Sequence, residues 1–235
     1  MIGYIVFDDI NCSDYGVYVT DLDTDNAPGR IFQIQSVPGR NGNLTYDTNA
    51  FNNITVSYPA FVYKDTDTNI DGFRNYLASK DGYKRLEDSF HPEEFRLARY
   101  ASDLTVYKTV NGLKGKMTLE FDCKPQRFLK SGETEKTFSD TGTIENPTLY
   151  AAKPIIRIYG TGDVWIGGTK ITFDGSSDYV DIDCELHDAY HGSTNKNPSI
   201  ELTPNQFPEL RAGETGITLD SGITSVVITP RWWHI

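Results

Sequence analysis

The feature that most constrains this chain is an alternation of apolar and polar residues with a period of two. In KMTLEFDCK at 116–124, Met117, Leu119, Phe121 and Cys123 fall on one side, with Thr118, Glu120 and Asp122 on the other. Successive side chains of an extended chain point to opposite faces, so this run reads as a strand with one dry and one wet face. Val180, Ile182, Cys184 and Leu186 repeat the pattern against Asp181, Asp183 and Glu185, and NITVSY at 53–58 is a third case. VWI at 164–166, Gly167-Gly168 and TKITF at 169–173 read as a tight hairpin. Two adjacent glycines supply the positive φ angles that a two-residue primed turn requires. One helix interrupts the strands. From about residue 68 to 80, Ile70, Phe73 and Leu77 recur at helical spacing, Asp67, Thr68 or Asn69 can cap the start, and Gly82 suits a left-handed end. Gly72 inside this stretch works against a helix. A short, solitary helix packs on a sheet rather than building a bundle, so the expected fold is mainly β.

Two domains are expected. The polar stretch KSGETEK at 130–136 separates two sets of strands and reads as a linker. It assigns 1–135, with the helix, to one β-sandwich domain and 136–235, all strands and turns, to another; 235 residues suffice for both. The chain carries 33 acidic against 22 basic residues, a net charge of −11. The imbalance is uneven: 18 acidic and 15 basic residues precede position 131, and 15 acidic and 7 basic ones follow. Such a surface repels nucleic-acid phosphates, which disfavours a dedicated DNA or RNA binder. No apolar run approaches the roughly 18 residues of a membrane span, so no membrane partner is expected. The opening MIGYIVFDDI has neither the basic nor the long apolar region of a secretory signal. Cys12, Cys123 and Cys184, odd in number and far apart, are accordingly expected as buried thiols.

Chemistry is sparse. Asp21 to Asn26 imitates the start of a calcium loop, but Asn26 stands where the sharp turn needs Gly and Phe32 where a bidentate Glu belongs. The run at 65–69 fails likewise, with Ile70 and Tyr76 at those positions. Cys184, His187 and His191 have zinc-ligand spacing, yet Cys184 falls on the apolar face of its strand and the histidines in a loop. Asp181, Asp183 and Glu185 could be the carboxylates of a glycosidase, although a wet strand face gives the same pattern. No nucleophile elbow, zinc-protease helix or phosphate-cradling loop is present, so neither catalytic residue, metal nor cofactor is expected. Arg231, Trp232 and Trp233 suit either an interface anchor or aromatics tucked into a core.

The punctuation of the chain resembles a known family. DYGVYV at 14–19, VPGRNGNL at 37–44, KDGYKRLEDS at 80–89, HPEEFRLA at 91–98 and FDCKPQRF at 121–128 are similar to segments of the distal tail protein (Dit) of long-tailed siphophages. PIIRIYG at 154–160, Ile182-Asp183, FPELRAG at 207–213 and PRWW at 230–233 extend the resemblance in the same order. The resemblance implies an N-terminal β-sandwich-like domain with one helix and a galectin-like C-terminal sandwich, in the short form without an inserted carbohydrate-binding module. It also implies a structural, non-enzymatic role in the virion, assembled in the host cytoplasm. Six copies would form a ring at the tail's distal end, joining the tail tube protein to the tail-tip hub and receptor-binding proteins. The tape-measure protein and then DNA would pass through the bore. Within that picture Pro38, Gly39, Arg40, Asn41 and Gly42 are candidates for ring or tube contacts. The alternative is a lectin-like module binding wall saccharide, with Trp165 or Trp232 as the stacking platform.

Overall fold

A computed structural model describes residues 2–22, 26–63, 66–100, 102–108 and 114–235. The chain divides into two compact units, Met1–Arg127 with Ile235, and Phe128–His234. The first begins with β1 (Ile5–Phe7), β2 (Ile10–Asn11), β3 (Val17–Val19), β4 (Arg30–Gln35), β5 (Leu44–Phe51) and β6 (Ile54–Tyr63). Helix α1 (Thr66–Ala78) follows, then β7 (Lys84–Asp88), β8 (Glu94–Tyr100), β9 (Tyr107–Lys108) and most of β10 (Lys114–Leu129).

The main sheet of this unit runs in the order β2-β1-β7-β8-β10-β6-β3. Gly3, just ahead of β1, bridges Val19 on β3 through a pair of backbone hydrogen bonds of 2.7 and 3.0 Å. The sheet therefore curls until its two ends meet, and its inner face encloses one core. That core takes the alternate residues of β10 expected from the period of two: Met117, Leu119, Phe121 and Cys123 are all buried. Phe121 meets Phe7 at 5.1 Å and Tyr58 at 6.2 Å between ring centres. On α1, Ile70, Phe73 and Leu77 are buried as their spacing requires, each worth roughly 1.5–3 kcal/mol. The helix starts earlier than expected, so Asp67, Thr68 and Asn69 lie within it rather than capping it. Gly82 does adopt a left-handed φ of 65°, but beyond the helix's end, on the approach to β7. Gly72 has a packing reason to be there: a Cβ would stand 3.1 Å from the Tyr15 ring.

The second unit begins with β11 (Lys136–Phe138), β12 (Gly142–Asn146), β13 (Ile155–Gly160), β14 (Gly162–Ile166), β15 (Thr169–Phe173) and β16 (Tyr179–Asp183). It continues with β17 (Asp188–His191), β18 (Thr194–Asn195), β19 (Ile200–Thr203), β20 (Gly213–Leu219), β21 (Ile223–Thr229) and β22 (Trp233–His234). Two sheets, β11-β21-β13-β16-β17-β18 and β12-β20-β14-β15-β19, share one core that includes Ile156, Ile182 and Val226 from the first and Val164, Ile171 and Ile217 from the second. This is a sandwich. The glycine hairpin forms as expected, with Ile166 opposite Thr169 and φ angles of 57° and 94° at Gly167 and Gly168.

The two units part at Arg127/Phe128, inside β10 and ahead of the expected division at 135/136. The stretch expected as a linker starts with a 3-10 helix, Lys130–Glu133, that belongs to the second unit. Its Gly132 carbonyl accepts from the Arg231 N–H at 2.8 Å. A Cβ on Gly132 would stand 2.3 Å from the Trp232 nitrogen, so the glycine marks a close backbone approach rather than flexibility.

Candidate functional site

Among the described residues, β4 and β5 pair only with each other and form a two-stranded ribbon outside the main sheet. None of their residues is fully buried. Direct pairing places Phe32, Ile34, Thr45 and Asp47 on one face and Gln33, Gln35, Leu44 and Tyr46 on the other. Phe32 is 50% exposed, Ile34 64%, Leu44 46% and Tyr46 67%. Both faces thus offer large apolar side chains to solvent. Between residues 26 and 53 the only charged residues are Arg30, Arg40 and Asp47, in a chain of net charge −11. Depletion of charge with retained aromatics is the composition of interface centres. The base of the ribbon is fixed: Arg30 holds Asp47 at 2.9 Å and lies 4.9 Å over the Phe51 ring, while the Thr48 hydroxyl donates to the Ile31 carbonyl at 2.8 Å. The tip is Pro38 to Gly42, all exposed, with an Arg40 N–H to Val37 carbonyl bond of 3.2 Å.

No family model and no curated protein sequence matches the chain. Solved structures do. The Dit protein (gp 19.1) of phage SPP1, described as a paradigm of the hub adsorption apparatus of phages infecting Gram-positive bacteria, superposes with a TM-score of 0.69. The match covers 100% of both chains at 16% identity. The chain has the fold of the SPP1 Dit protein. Two structures of the phage P2 baseplate in its activated conformation, with calcium and with strontium, give TM-scores of 0.53 and 0.51 at 11% identity. Each covers 97% of this chain, and 97% and 96% of the respective baseplate chain.

Within this Dit-like fold the other candidate residues are scattered. Trp165 is 37% exposed on the outer face of β14, paired with Lys170 and Thr218. Trp232 is 3% exposed in the second core, so neither ring face is open to a sugar; the core reading of the PRWW segment prevails. Trp233 agrees, donating its indole N–H to the Ala151 carbonyl at 3.0 Å and stacking on Tyr150 at 4.5 Å. The zinc-like trio is not brought together. Cys184 is buried, and burial pushes its thiol up to about 12; His191 meets Asp178 at 2.8 Å, and His187 stacks on Phe207. No group of three metal-ligating side chains exists among the described residues. Parts of both calcium-like runs, 23–25 and 65, lie outside the described residues.

The face of β16 expected to be wet is covered. Asp181 and Asp183 are 6% and 4% exposed, whereas Leu186, expected on the dry side, is 72% exposed. The strand ends at Asp183, whose Oδ1 accepts from the Glu185 and Leu186 N–H groups and turns the chain. Arg157 grips Asp181 at 2.6 and 2.9 Å, and Arg231 grips Asp183 at 2.9 and 2.8 Å. Burial alone would raise the Asp183 carboxyl, but Arg231 and the two backbone donors outweigh it and hold it below the ordinary range. Carboxylates so fully engaged are braces, and Glu185 reaches away to Lys153 at 3.2 Å. The signal was the arginine of PRWW, a segment the sequence leaves open between an interface anchor and a core. The sequence singles out only the ribbon's tip, Pro38 to Gly42; its strands escape, because IFQIQ and LTYDT have no single dry face.

Proposed function

We propose that this chain is the structural hub of the distal tail of a long-tailed phage. Six copies close into a ring, and the ribbon of each copy lies against the next. The single observation that carries this reading is the full-length likeness to the SPP1 hub protein. The ribbon supports the assembly part. An isolated two-stranded ribbon is marginal in water, and its outer edges present unpaired backbone groups to any neighbouring chain. A patch that meets a different patch on the next copy makes head-to-tail contacts, which close into a ring when the rotation permits. The ring would sit in the virion between the tail tube protein and the tail-tip hub and receptor-binding proteins. The tape-measure protein and DNA would pass through its bore as cargo, and the protein would do no covalent chemistry.

Light scattering on size-exclusion fractions, with negative-stain imaging, tests this. The expected result is a six-copy mass and a ring with a bore. The paired change Ile34→Asp and Tyr46→Asp should return single copies with unchanged circular dichroism. A wild-type chain that stays a single copy at high concentration overturns the ring, and rings that survive the paired change overturn the role of the ribbon.

A further inference from the structure

The second unit carries an open groove that neither the hub role nor the braces use. It has a volume of about 490 Å³ and is lined by His187, Asn197, Ile200, Glu201, Leu202, Asn205 and Phe207. We propose that it binds a neutral pyranose unit of a saccharide.

Two of the lining residues, His187 and Phe207, offer flat rings. The His187 imidazole stacks on the Phe207 ring at 5.0 Å between centres and 16° between planes. Phe207 in turn packs against the second core, so the imidazole is a shelf with rigid backing. His187 is exposed and sits at a φ of 56°, just after the turn that Asp183 makes. A flat, backed ring of this kind covers the C–H face of a sugar, which is as apolar as its rim of hydroxyls is polar.

The rim finds partners as well. The Glu201 carboxylate and the Asn205 amide are exposed and make no side-chain bond among the described residues, so they supply acceptors and donors at no internal cost. Asn197 is fixed instead: its carbonyl oxygen accepts from the Ala189 N–H at 2.7 Å, and its amide donates to Asp188 at 2.7 Å. That leaves one oriented N–H. Ile200 and Leu202 add apolar wall from β19, the edge strand of its sheet. A concave site with a few convergent polar groups around apolar surface is the general form of a small-ligand site.

Charge narrows the class. None of the lining residues is Lys or Arg, and Glu201 is an anion, so phosphates, carboxylates and nucleotides are repelled. A single carboxylate is too few for a hard cation. A neutral polyol that offers both hydroxyl hydrogens and oxygens satisfies the mixture. This site is independent of the ring: rings without sugar binding, or sugar binding without rings, would tell the two proposals apart.

Saturation-transfer NMR on the full-length chain tests it, with methyl β-galactoside, methyl β-glucoside and N-acetylglucosamine as probes and glycerol phosphate as the charged counterpart. At least one neutral sugar should bind with a dissociation constant in about the millimolar range. His187→Gly, which suits the left-handed backbone, and Glu201→Ala, on an exposed position, should each weaken it about tenfold. Trp165→Ala should leave it unchanged, and thermal melts should show all three variants folded. No transfer to any sugar at about 50 mM overturns the proposal, since that exceeds the range of even weak ligands. So does binding lost in Trp165→Ala but kept in the other two, or a preference for glycerol phosphate.

Discussion

The molecule contains two hairpins built on similar turn chemistry and placed in opposite surroundings. β14–β15 turns through Gly167-Gly168, and its Val164, Ile166, Ile171 and Phe173 are no more than 1% exposed. β4–β5 turns through a Pro-Gly-Arg-Asn-Gly tip, and none of its residues is fully buried. Turn residues therefore decide that the chain reverses, but not whether the result is packed. The distribution of apolar residues decides that. In β14–β15 they share one face, and the second core takes it. In β4–β5 they are split, Phe32 and Ile34 on one side and Leu44 and Tyr46 on the other, so a single core could cover only half of them. The other half would stay exposed in a single copy.

The largest expected effect separates the hairpins directly. Phe173→Ala should cost about 3–5 kcal/mol in urea unfolding, because it empties a filled core position. Phe32→Ala, measured where the chain is a single copy, should stay within about 0.5 kcal/mol. Thiol labelling gives a second readout. Burial raises Cys12 to about 11 and Cys123 and Cys184 to about 12, so all three should resist a thiol reagent in the native chain. Phe173→Ala should speed the labelling of Cys184 while Cys12 and Cys123 stay protected, and Phe32→Ala should speed none. A cost of several kcal/mol for Phe32→Ala would mean that the ribbon is packed within its own copy.

The ion pairs of the two regions divide the same way. Asp183 is 4% exposed and accepts two bonds from Arg231 and two from the backbone, so Asp183→Ala should cost about 2–3 kcal/mol. Asp47, 37% exposed on the ribbon beside Arg30, should cost no more than about 1 kcal/mol. The pH dependence has a definite sign. The folded state holds the Asp183 carboxyl below its usual value, so its contribution is complete above the unfolded pKa of about 3.9 and disappears as pH falls further. The difference in melting temperature between wild type and Asp183→Asn should be constant from pH 5 to 7, within the ~5–8 range where such pairs hold, and should shrink below about pH 4.

How much of this was legible depends on whether the deciding contact is local. The alternation at 116–124 and the helical spacing of Ile70, Phe73 and Leu77 locate their buried faces correctly, because one strand or helix carries the whole signal. Asp181 and Asp183 carry the same kind of signal and mislead. Their partners Arg157 and Arg231 are 24 and 48 positions away, and only the assembled sandwich brings a guanidinium over each. The linker at 130–136 misleads for a related reason: its polarity is real, but Gly132 is shaped to fit the backbone at 231–232. The ribbon failed on pattern. Without a single dry face, period-two reasoning has nothing to count.

The smallest effects lie at the ribbon's tip, where stability and assembly should part company. Gly39 and Gly42 sit at φ angles of 79° and 80°, and no described residue lies within 4 Å of a Cβ placed on either, so the backbone conformation is what calls for glycine. Gly39→Ala should cost about 1 kcal/mol, spent locally in the tip. Arg40 is exposed, its side chain makes no ion pair among the described residues, and it carries a positive charge in a chain whose net charge is −11. Arg40→Ala should therefore change unfolding by less than about 0.5 kcal/mol. If the tip reaches an acidic surface on the next copy, the same substitution should weaken ring formation at low salt and matter less at high salt, because exposed charges are screened. Ring formation that ignores both Arg40 and salt would move the decisive contact from the tip to the apolar faces of β4 and β5, and the test of Ile34 and Tyr46 would then carry the assembly argument alone.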